Sequence, residues 1–392
     1  MLTSKGIAPP HGGQLVSRLV PESDRAARAE EARRLRAVRL SSCEVSDLIM
    51  IGMGAFSPLS GFMDRADYEG SVRCMHTADG TLWPIPITLA PAEDVSGIRI
   101  GDRLALIDGE SDALMGTLEV QGVFPYDKGE EARCVFRTDD EKHPGVAKLL
   151  EQGDVCLAGP VDVLSEGGYP ERFPAYGRPA EVRAIFEGKR WHTIAAFQTR
   201  NPLHRSHEYL TKVALEVCDG LFVHPIVGKL KAGDIPAEVR QRCYEVLLER
   251  YYPQDRVVLR VYPMEMRYGG PREAVLHAII RQNYGCSHLC VGRDHAGVGS
   301  YYGPFEAQDI FDELDPHELH IRPLKFENTF WCYGCGGMAS TKTCPHDGSE
   351  RLNISGTKLR EMLAKGDLPP AEFSRPEVLQ VLVDYYQSLS TS

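Results

Sequence analysis

The pattern of apolar and polar positions changes character along the chain. Over residues 1–185, short apolar runs such as 83–89, 103–107 and 116–124 are broken by Gly, Pro and Asp at close intervals. Turn signals at that density predict a β-rich domain with some helix near its start. Over residues 186–325 the rhythm differs. Apolar runs at 193–197, 221–227, 256–261, 287–291 and 319–324 predict strands, and the stretches between them carry helical periodicity. Leu210, Val213, Ala214 and Val217 fall at i, i+3, i+4 and i+7, one face of a helix. A second helix is expected from about Pro236, with Val239, Cys243, Val246 and Leu247 on one side, and a third over 272–281. This alternation predicts a Rossmann-like, doubly wound parallel sheet, in which ligands sit beyond the carboxyl ends of the strands. The loops after Phe197, Val227, Val261 and Val291 are therefore where chemistry is expected. Residues 326–392 predict a small third domain, a cysteine cluster followed by two helical stretches.

Composition sharpens this picture. A chain of 392 residues predicts two or three domains, and 43% apolar residues suffice for a sizeable core. No apolar run approaches the roughly 18 residues of a membrane span. The first residues lack a secretory signal. An arginine-rich run from Arg25 to Arg39 is interrupted by acidic residues, which predicts an exposed amphipathic helix rather than a transit peptide. Eleven cysteines, most without a repeated spacing, fit free thiols in a reducing compartment, so a cytoplasmic protein is expected. A net charge of −11 argues against a general nucleic-acid binder, yet a locally positive pocket remains compatible with it.

The loop after the first strand of the sheet reads Gln198-Thr199-Arg200-Asn201-Pro202-Leu203-His204-Arg205-Ser206-His207-Glu208. It lies where strand becomes helix, so backbone N–H groups point at a potential anion. Arg200 suits an oxyanion held by two parallel bonds, and His204 and His207, three apart, share one face of the helix start. Such a histidine pair alone is equally a surface feature or a metal site. The zinc-protease spacing requires Glu after the first His and a second His four positions on, which this loop lacks. The loop after the fourth strand, Gly292-Arg293-Asp294-His295-Ala296-Gly297, adds a second arginine and glycines that permit close backbone approach. Two basic loops at one sheet edge point to a polyanionic ligand, and no Walker A pattern occurs in the chain.

These two loops resemble the active-site motifs of the ATP sulfurylases (sulfate adenylyltransferases). Residues 54–63 (GAFSPLSGFM), 84–89 (PIPITL) and 354–360 (ISGTKLR) are similar to further motifs of that family, in the same order along the chain. The resemblance implies a PUA-like N-terminal domain over 1–185, an α/β nucleotidyltransferase domain over 186–325 and a small C-terminal domain over 326–392. It implies that ATP and sulfate become adenylyl sulfate and diphosphate, with Mg²⁺ arriving on ATP and no appended kinase domain. Gln198, Thr199, Arg200 and Asn201 would contact sulfate and ATP, and His204 and His207 would grip the polyphosphate. Gly292, Arg293, Asp294 and His295 would line the nucleotide site, and Ala296 would offer its N–H to sulfate. Thr329 and Phe326 align with nucleotide-contact and switch positions. A homo-oligomer, a dimer, is expected. Sulfate is a dianion at neutral pH, so attack needs no general base and catalysis rests on positioning and charge neutralisation. Whether the histidines are charged, and which direction runs in the cell, stay open.

Cys332-x2-Cys335 followed by Cys344 and His346 supplies a complete tetrahedral ligand set for a structural Zn²⁺, with His346 at an unusually short spacing from Cys344. Two other functions compete. Another α/β nucleotidyltransferase would share the strand, H-x-x-H turn and helix, but the Gln198–Asn201 lead-in favours sulfate. A nucleic-acid-binding module would combine the PUA-like domain with the zinc knuckle, against the acidic charge and the lack of interleaved basic and aromatic residues.

Overall fold

The computed structural model describes residues 6–229, 234–352, 354 and 356–390. Its N-terminal sheet has six strands: β1 (Arg36–Leu40), β2 (Gly61–Phe62), β3 (Arg103–Asp108), β4 (Leu114–Glu119), β5 (Gly122–Pro125) and β6 (Val155–Val163). The order is β1-β3-β4-β6-β2, with β5 also paired to β6; β1 runs parallel to β3, and the other pairs are antiparallel. The apolar run at 116–124 divides into β4 and β5. The run at 83–89 forms no regular strand, although Trp83, Ile85, Ile87 and Leu89 are fully or almost fully buried. Pro84 and Pro86 remove the N–H donors a ladder would need. The arginine-rich run is helical only over Glu22–Ala32; Arg36 and Arg39 lie in β1, where the Arg36 guanidinium donates to the carbonyls of Ser96 and Asp94, both at 3.0 Å.

The second sheet is fully parallel. Its strands are β7 (Ile194–Phe197), β8 (Gly220–Val223), β9 (Val257–Leu259), β10 (His288–Val291) and β11 (Arg322–Lys325), in the order β11-β10-β7-β8-β9. This is the doubly wound arrangement, with its switch point between β7 and β10. The helix Arg205–Val217 follows β7 but turns a different stripe inward from the one its valines mark. Val213 is 40% and Val217 65% exposed, while Leu210, Thr211 and Ala214 are buried. Thr211 is tolerated inside because its hydroxyl bonds the His207 carbonyl and the Tyr252 hydroxyl, each at 2.7 Å. The next helix, Ala237–Tyr251, has Pro236 as its N-cap and buries Cys243, Val246 and Leu247.

Beyond β11, strands β12 (Thr329–Cys332) and β13 (Gly337–Ser340) form an antiparallel hairpin, followed by helices Gly356–Ala364 and Pro376–Ser390. Val378, Leu382 and Val383 join one apolar cluster with Leu210, Ala214, Cys243 and Leu247 of the parallel-sheet domain. Of the 354–360 motif, Ser355 lies outside the described residues, as do Met1–Lys5 at the N-terminus; Ile354 and Leu359 pack against that same cluster.

The largest apolar cluster crosses from one sheet to the other, holding Leu106, Met115 and Val163 together with Ala196, Phe222 and Leu289. Polar ties reinforce this seam. The Asn283 amide donates to the carbonyls of Ala55 (3.0 Å) and Ser57 (2.9 Å), so the 54–63 motif is a docking turn. The loop after β9 is gripped from the N-terminal side. Arg267 Nη2 stands 2.6 Å from both carboxylate oxygens of Asp47, with side-chain exposures of only 8% and 4%. Beside it the Glu265 N–H donates to Ser46 Oγ at 2.9 Å, and the Glu265 carboxylate pairs with Lys148. Removing one partner of such a pair leaves a buried charge uncompensated. Asp47→Ala is therefore expected to lower the unfolding free energy by about 3–5 kcal/mol, read by urea denaturation, whereas Asp162→Ala, in a half-exposed pair with Arg18, costs about 1 kcal/mol or less.

Candidate active site

At the switch point the chain leaves β7 and β10 in opposite directions, and the gap between the two loops is a cavity of about 280 Å³. Gln198, Thr199, Arg200, Asn201 and His207 line it from the β7 side, Gly292 to Ala296 from the β10 side, and Thr329 closes it from β12. A second cavity of about 490 Å³ adjoins it and shares Arg200, Asn201, Arg293, Asp294 and His295. The two arginines of the sequence motifs therefore face common space.

Each wall is locally determined. Strand β7 is wholly buried and ends at Phe197, immediately before Gln198. Thr199 Oγ1 then accepts the Asn201 N–H at 3.0 Å, and the Tyr244 hydroxyl donates to the Asn201 carbonyl at 2.9 Å, turning the chain toward the helix Arg205–Val217. In the first turn of that helix, Arg205 N–H donates to the Phe373 carbonyl and Glu208 N–H to the His204 carbonyl. The N–H of Ser206, between them, has no protein acceptor among the described residues, and Ser206 lines the cavity. A free N–H at a helix N-terminus favours an anion.

Arg200 lies with its guanidinium carbon 4.9 Å from the centre of the Tyr268 ring, and its buried Nη1 has no protein partner among the described residues. A desolvated guanidinium with an unused donor is a strong oxyanion site. Arg293 is about half exposed and pairs with the neighbouring Asp294 at 3.0 Å. Asp294 and Ala296 both take a left-handed φ of 56°, an uncommon conformation for residues with a side chain. The loop is held in it by the Asp294 N–H on the Pro304 carbonyl (2.8 Å) and the Gly270 N–H on the Ala296 carbonyl (3.1 Å). The Ala296 N–H has no protein acceptor among the described residues.

The histidines differ in placement. His207 lines the cavity, and its Nδ1 accepts the His204 N–H at 3.2 Å, which leaves the proton of the neutral ring on Nε2. Burial pushes the His207 ring down to about 4, and burial together with His207 pushes His204 down to about 3. Both rings keep partial accessible area, yet protein surrounds them closely enough to disfavour charge. The His204 ring stands off the cavity wall, because it packs on Phe373 with ring centres 4.4 Å apart. Phe326 also stays outside. Its N–H continues the sheet by donating to the Val291 carbonyl at 3.0 Å, Gln308 holds its own carbonyl at 2.8 Å, and its side chain packs into the apolar cluster. Gln198 reaches the cavity with its amide engaged: Oε1 accepts from the Tyr262 hydroxyl (2.7 Å) and Nε2 meets His277 Nε2 (3.1 Å).

Sequence reasoning missed Ser206, Met266, Glu327 and Asn328 as wall residues and Tyr268 as the platform beneath Arg200. Met266 and Tyr268 follow β9, a strand whose trailing loop the sheet pattern marks without singling out a residue.

The hairpin β12–β13 brings Cys332, Cys335, Cys344 and His346 together, with their ligand atoms all within 4.8 Å of one another. Sulfur–sulfur distances are 3.5 Å (Cys332–Cys344) and 3.7 Å (Cys335–Cys344), and His346 Nδ1 is 3.3–3.8 Å from the three sulfurs. With metal–sulfur bonds of about 2.3 Å and metal–nitrogen bonds of about 2.0–2.1 Å, tetrahedral ligand atoms stand about 3.5–3.8 Å apart. The four residues fit a zinc-sized ion. Gly334 is required there, since a Cβ would meet the His346 ring at 2.9 Å.

Comparison with known proteins agrees with this architecture. A family model described as ATP-sulfurylase matches residues 175–385, and one described as a PUA-like domain matches residues 8–166. A sulfate adenylyltransferase of Desulforamulus reducens is 55% identical over 382 residues, covering 97% of this chain and 98% of that protein. One from Chlorobaculum tepidum is 54% identical over 385 residues, covering 97% and 95%. The solved structure of a protein named hexameric APS kinase, from Thiobacillus denitrificans, superposes with a TM-score of 0.76 at 27% identity, covering 96% of this chain and 68% of that one. A match of this extent, on a chain whose two basic loops share one cavity at the switch point, shows that the protein belongs to the ATP-sulfurylase family.

Proposed function

We propose that the cavity binds ATP and sulfate side by side and that a sulfate oxygen attacks the α-phosphorus in line, expelling diphosphate without a covalent enzyme intermediate. The protein is a sulfate adenylyltransferase, converting ATP and sulfate into adenylyl sulfate and diphosphate. One observation carries the mechanism: Arg200, Arg293 and the free N–H of a helix N-terminus face common space. The obstacle is repulsion between sulfate and a more negative triphosphate. Donors fixed in place before binding lower it without reorganisation.

In this reading the unused Nη1 of Arg200 and the Ala296 N–H hold sulfate, and Thr199 and Asn201 shape its approach. Gly292, Arg293, Asp294 and His295 line the nucleotide, with Thr329 opposite. His207 Nε2–H and the Ser206 N–H receive the departing diphosphate. His204 acts behind His207 through its own backbone N–H, and Gln198 closes the floor. Mg²⁺ enters with ATP as part of the substrate and neutralises phosphate charge. No carboxylate is needed as a base, because sulfate is already ionised. The same site runs the reaction from adenylyl sulfate and diphosphate to ATP when concentrations favour it.

The cysteine–histidine cluster is read as a structural Zn²⁺ site, closed by four ligands and therefore without an open catalytic position. The described residues contain no helix long and apolar enough to cross a membrane, and the eight cysteines outside that cluster, all free thiols, support a reducing, cytoplasmic setting. The structural neighbour from Thiobacillus denitrificans is named as a hexamer, which supports a homo-oligomer here.

Arg200→Ala is expected to reduce sulfate-dependent diphosphate release by at least about a hundredfold with an unchanged circular dichroism spectrum; near-normal turnover removes Arg200 from the mechanism. The His207 ring, followed by NMR in the free protein, is expected to stay neutral on acidification until about pH 4, and added ATP should move its titration upward. Because this folded-state value lies below that of an unfolded histidine, the stabilisation from a neutral His207 is complete above about pH 6.5 and declines as pH falls toward 4. Metal analysis of unchelated protein should find one Zn²⁺ per chain, and chelation should lower the melting temperature.

A further inference from the structure

Behind the cavity wall lies a file of polar groups that the proposed chemistry does not use. Arg281, Tyr262 and His277 are all fully buried. Arg281 Nη2 is 2.7 Å from the Tyr262 hydroxyl, which is 2.7 Å from Gln198 Oε1. Gln198 Nε2 is 3.1 Å from His277 Nε2, and His277 Nδ1 is 3.1 Å from His295 Nε2. His295 lines both cavities.

The direction of this chain follows from its first member. A guanidinium only donates, so the Tyr262 oxygen accepts and sends its own proton to Gln198 Oε1. The Gln198 amide then faces His277 with N–H, so His277 Nε2 presents a lone pair. A neutral His277 carries its single proton on Nδ1 and donates it to His295 Nε2. His295 keeps its own proton on Nδ1, which has no protein partner among the described residues. Running the chain backwards would strand the buried Tyr262 proton, at a cost of about 1–3 kcal/mol.

Other groups around His277 do not reverse the order. Glu273 Oε1 lies 3.5 Å from His277 Nε2, too far for a good hydrogen bond. Its carboxylate already accepts the N–H groups of Arg267 (3.0 Å) and Gly269 (2.9 Å). Burial lowers both rings from the usual histidine range, against the upward pull of Glu273 on His277 and with His277 and Arg281 adding to it at His295, so both are neutral near pH 7.

We infer that Arg281, Tyr262, Gln198 and His277 form a one-way hydrogen-bond chain that fixes His295 as its Nδ1–H tautomer, so that an uncharged ring presents a donor to an anionic oxygen in the cavity. His277 is a positioning residue: it touches no ligand and acts by deciding which nitrogen of His295 carries the proton. The identity of that oxygen, phosphoryl or sulfuryl, rests on the function proposed above; the tautomer does not. An unconstrained histidine in water favours the Nε2–H form, so the chain selects against the default.

The test uses the full-length, zinc-loaded protein with ¹⁵N-labelled histidine rings. Long-range ¹H–¹⁵N correlation spectra near neutral pH report the tautomer, and subtraction of a His295→Gln spectrum assigns the His295 signals. Wild type is expected to show Nδ1–H. Tyr262→Phe, which deletes one oxygen in mid-chain, and His277→Phe should both shift His295 toward Nε2–H. Each should lower kcat/KM for ATP about tenfold, as the loss of one neutral donor would. Wild-type His295 found as Nε2–H or as imidazolium overturns the inference, as does an unchanged tautomer in both variants. Should the variants not fold, the wild-type spectrum decides alone. Absence of sulfate-dependent diphosphate release in wild type would instead remove the proposed function and leave the tautomer assignment standing.

Discussion

The site depends on a buried ion pair that lines neither of its two cavities. Asp47, on a helix of the N-terminal domain, holds Arg267 in the loop after β9. One residue further on, Tyr268 lies under Arg200, and one residue before it Met266 lines the cavity. The grip from Asp47, Ser46 and Lys148 thus fixes the ring on which the Arg200 guanidinium rests. A purely apolar seam would hold the two halves together but would leave this loop free to slide. Directional bonds define its position, and the desolvated charges make any misplacement costly.

Cation placement and backbone conformation act together at the switch point. Arg200 keeps a buried Nη1 without a partner among the described residues, whereas Arg293 is half exposed and leans on Asp294. One offers a buried, unpaired donor to the cavity and the other a solvent-exposed, paired one. The left-handed turns at Asp294 and Ala296 aim a backbone donor into the same space, and the strain is borne by bonds to Pro304 and Gly270. A neutral imidazole at His207 adds a donor to the cavity without adding charge.

Much of this was legible in the sequence for a local reason. Strand and helix periods, the loop after β7 and the loop after β10 are each encoded within a dozen or so residues, and the cavity gathers most of the residues those loops supply. What escaped was non-local or depended on side-chain orientation. Asp47 and Arg267 lie 220 positions apart, and nothing in either segment points to the other. His204 and His207 look equivalent at three residues' spacing, yet Phe373 from the far end of the chain takes one ring away from the cavity. Phe326 was drawn into the core by the edge hydrogen bonds of β11, and Val213 and Val217 were left outside because Thr211 found partners within. The short spacing of His346 from Cys344 was no obstacle, since the turn at Gly334 leaves room for its ring.

The apolar cluster that spans both sheets has an evolutionary corollary. Two modules with separate family signatures have surrendered their autonomy to a shared interior. Exchanging either half for a homologous piece would require the shared interior to repack. A change of volume at Leu106 or Met115 in the β-rich half therefore presses on Ala196, in the strand that carries the loop of Arg200.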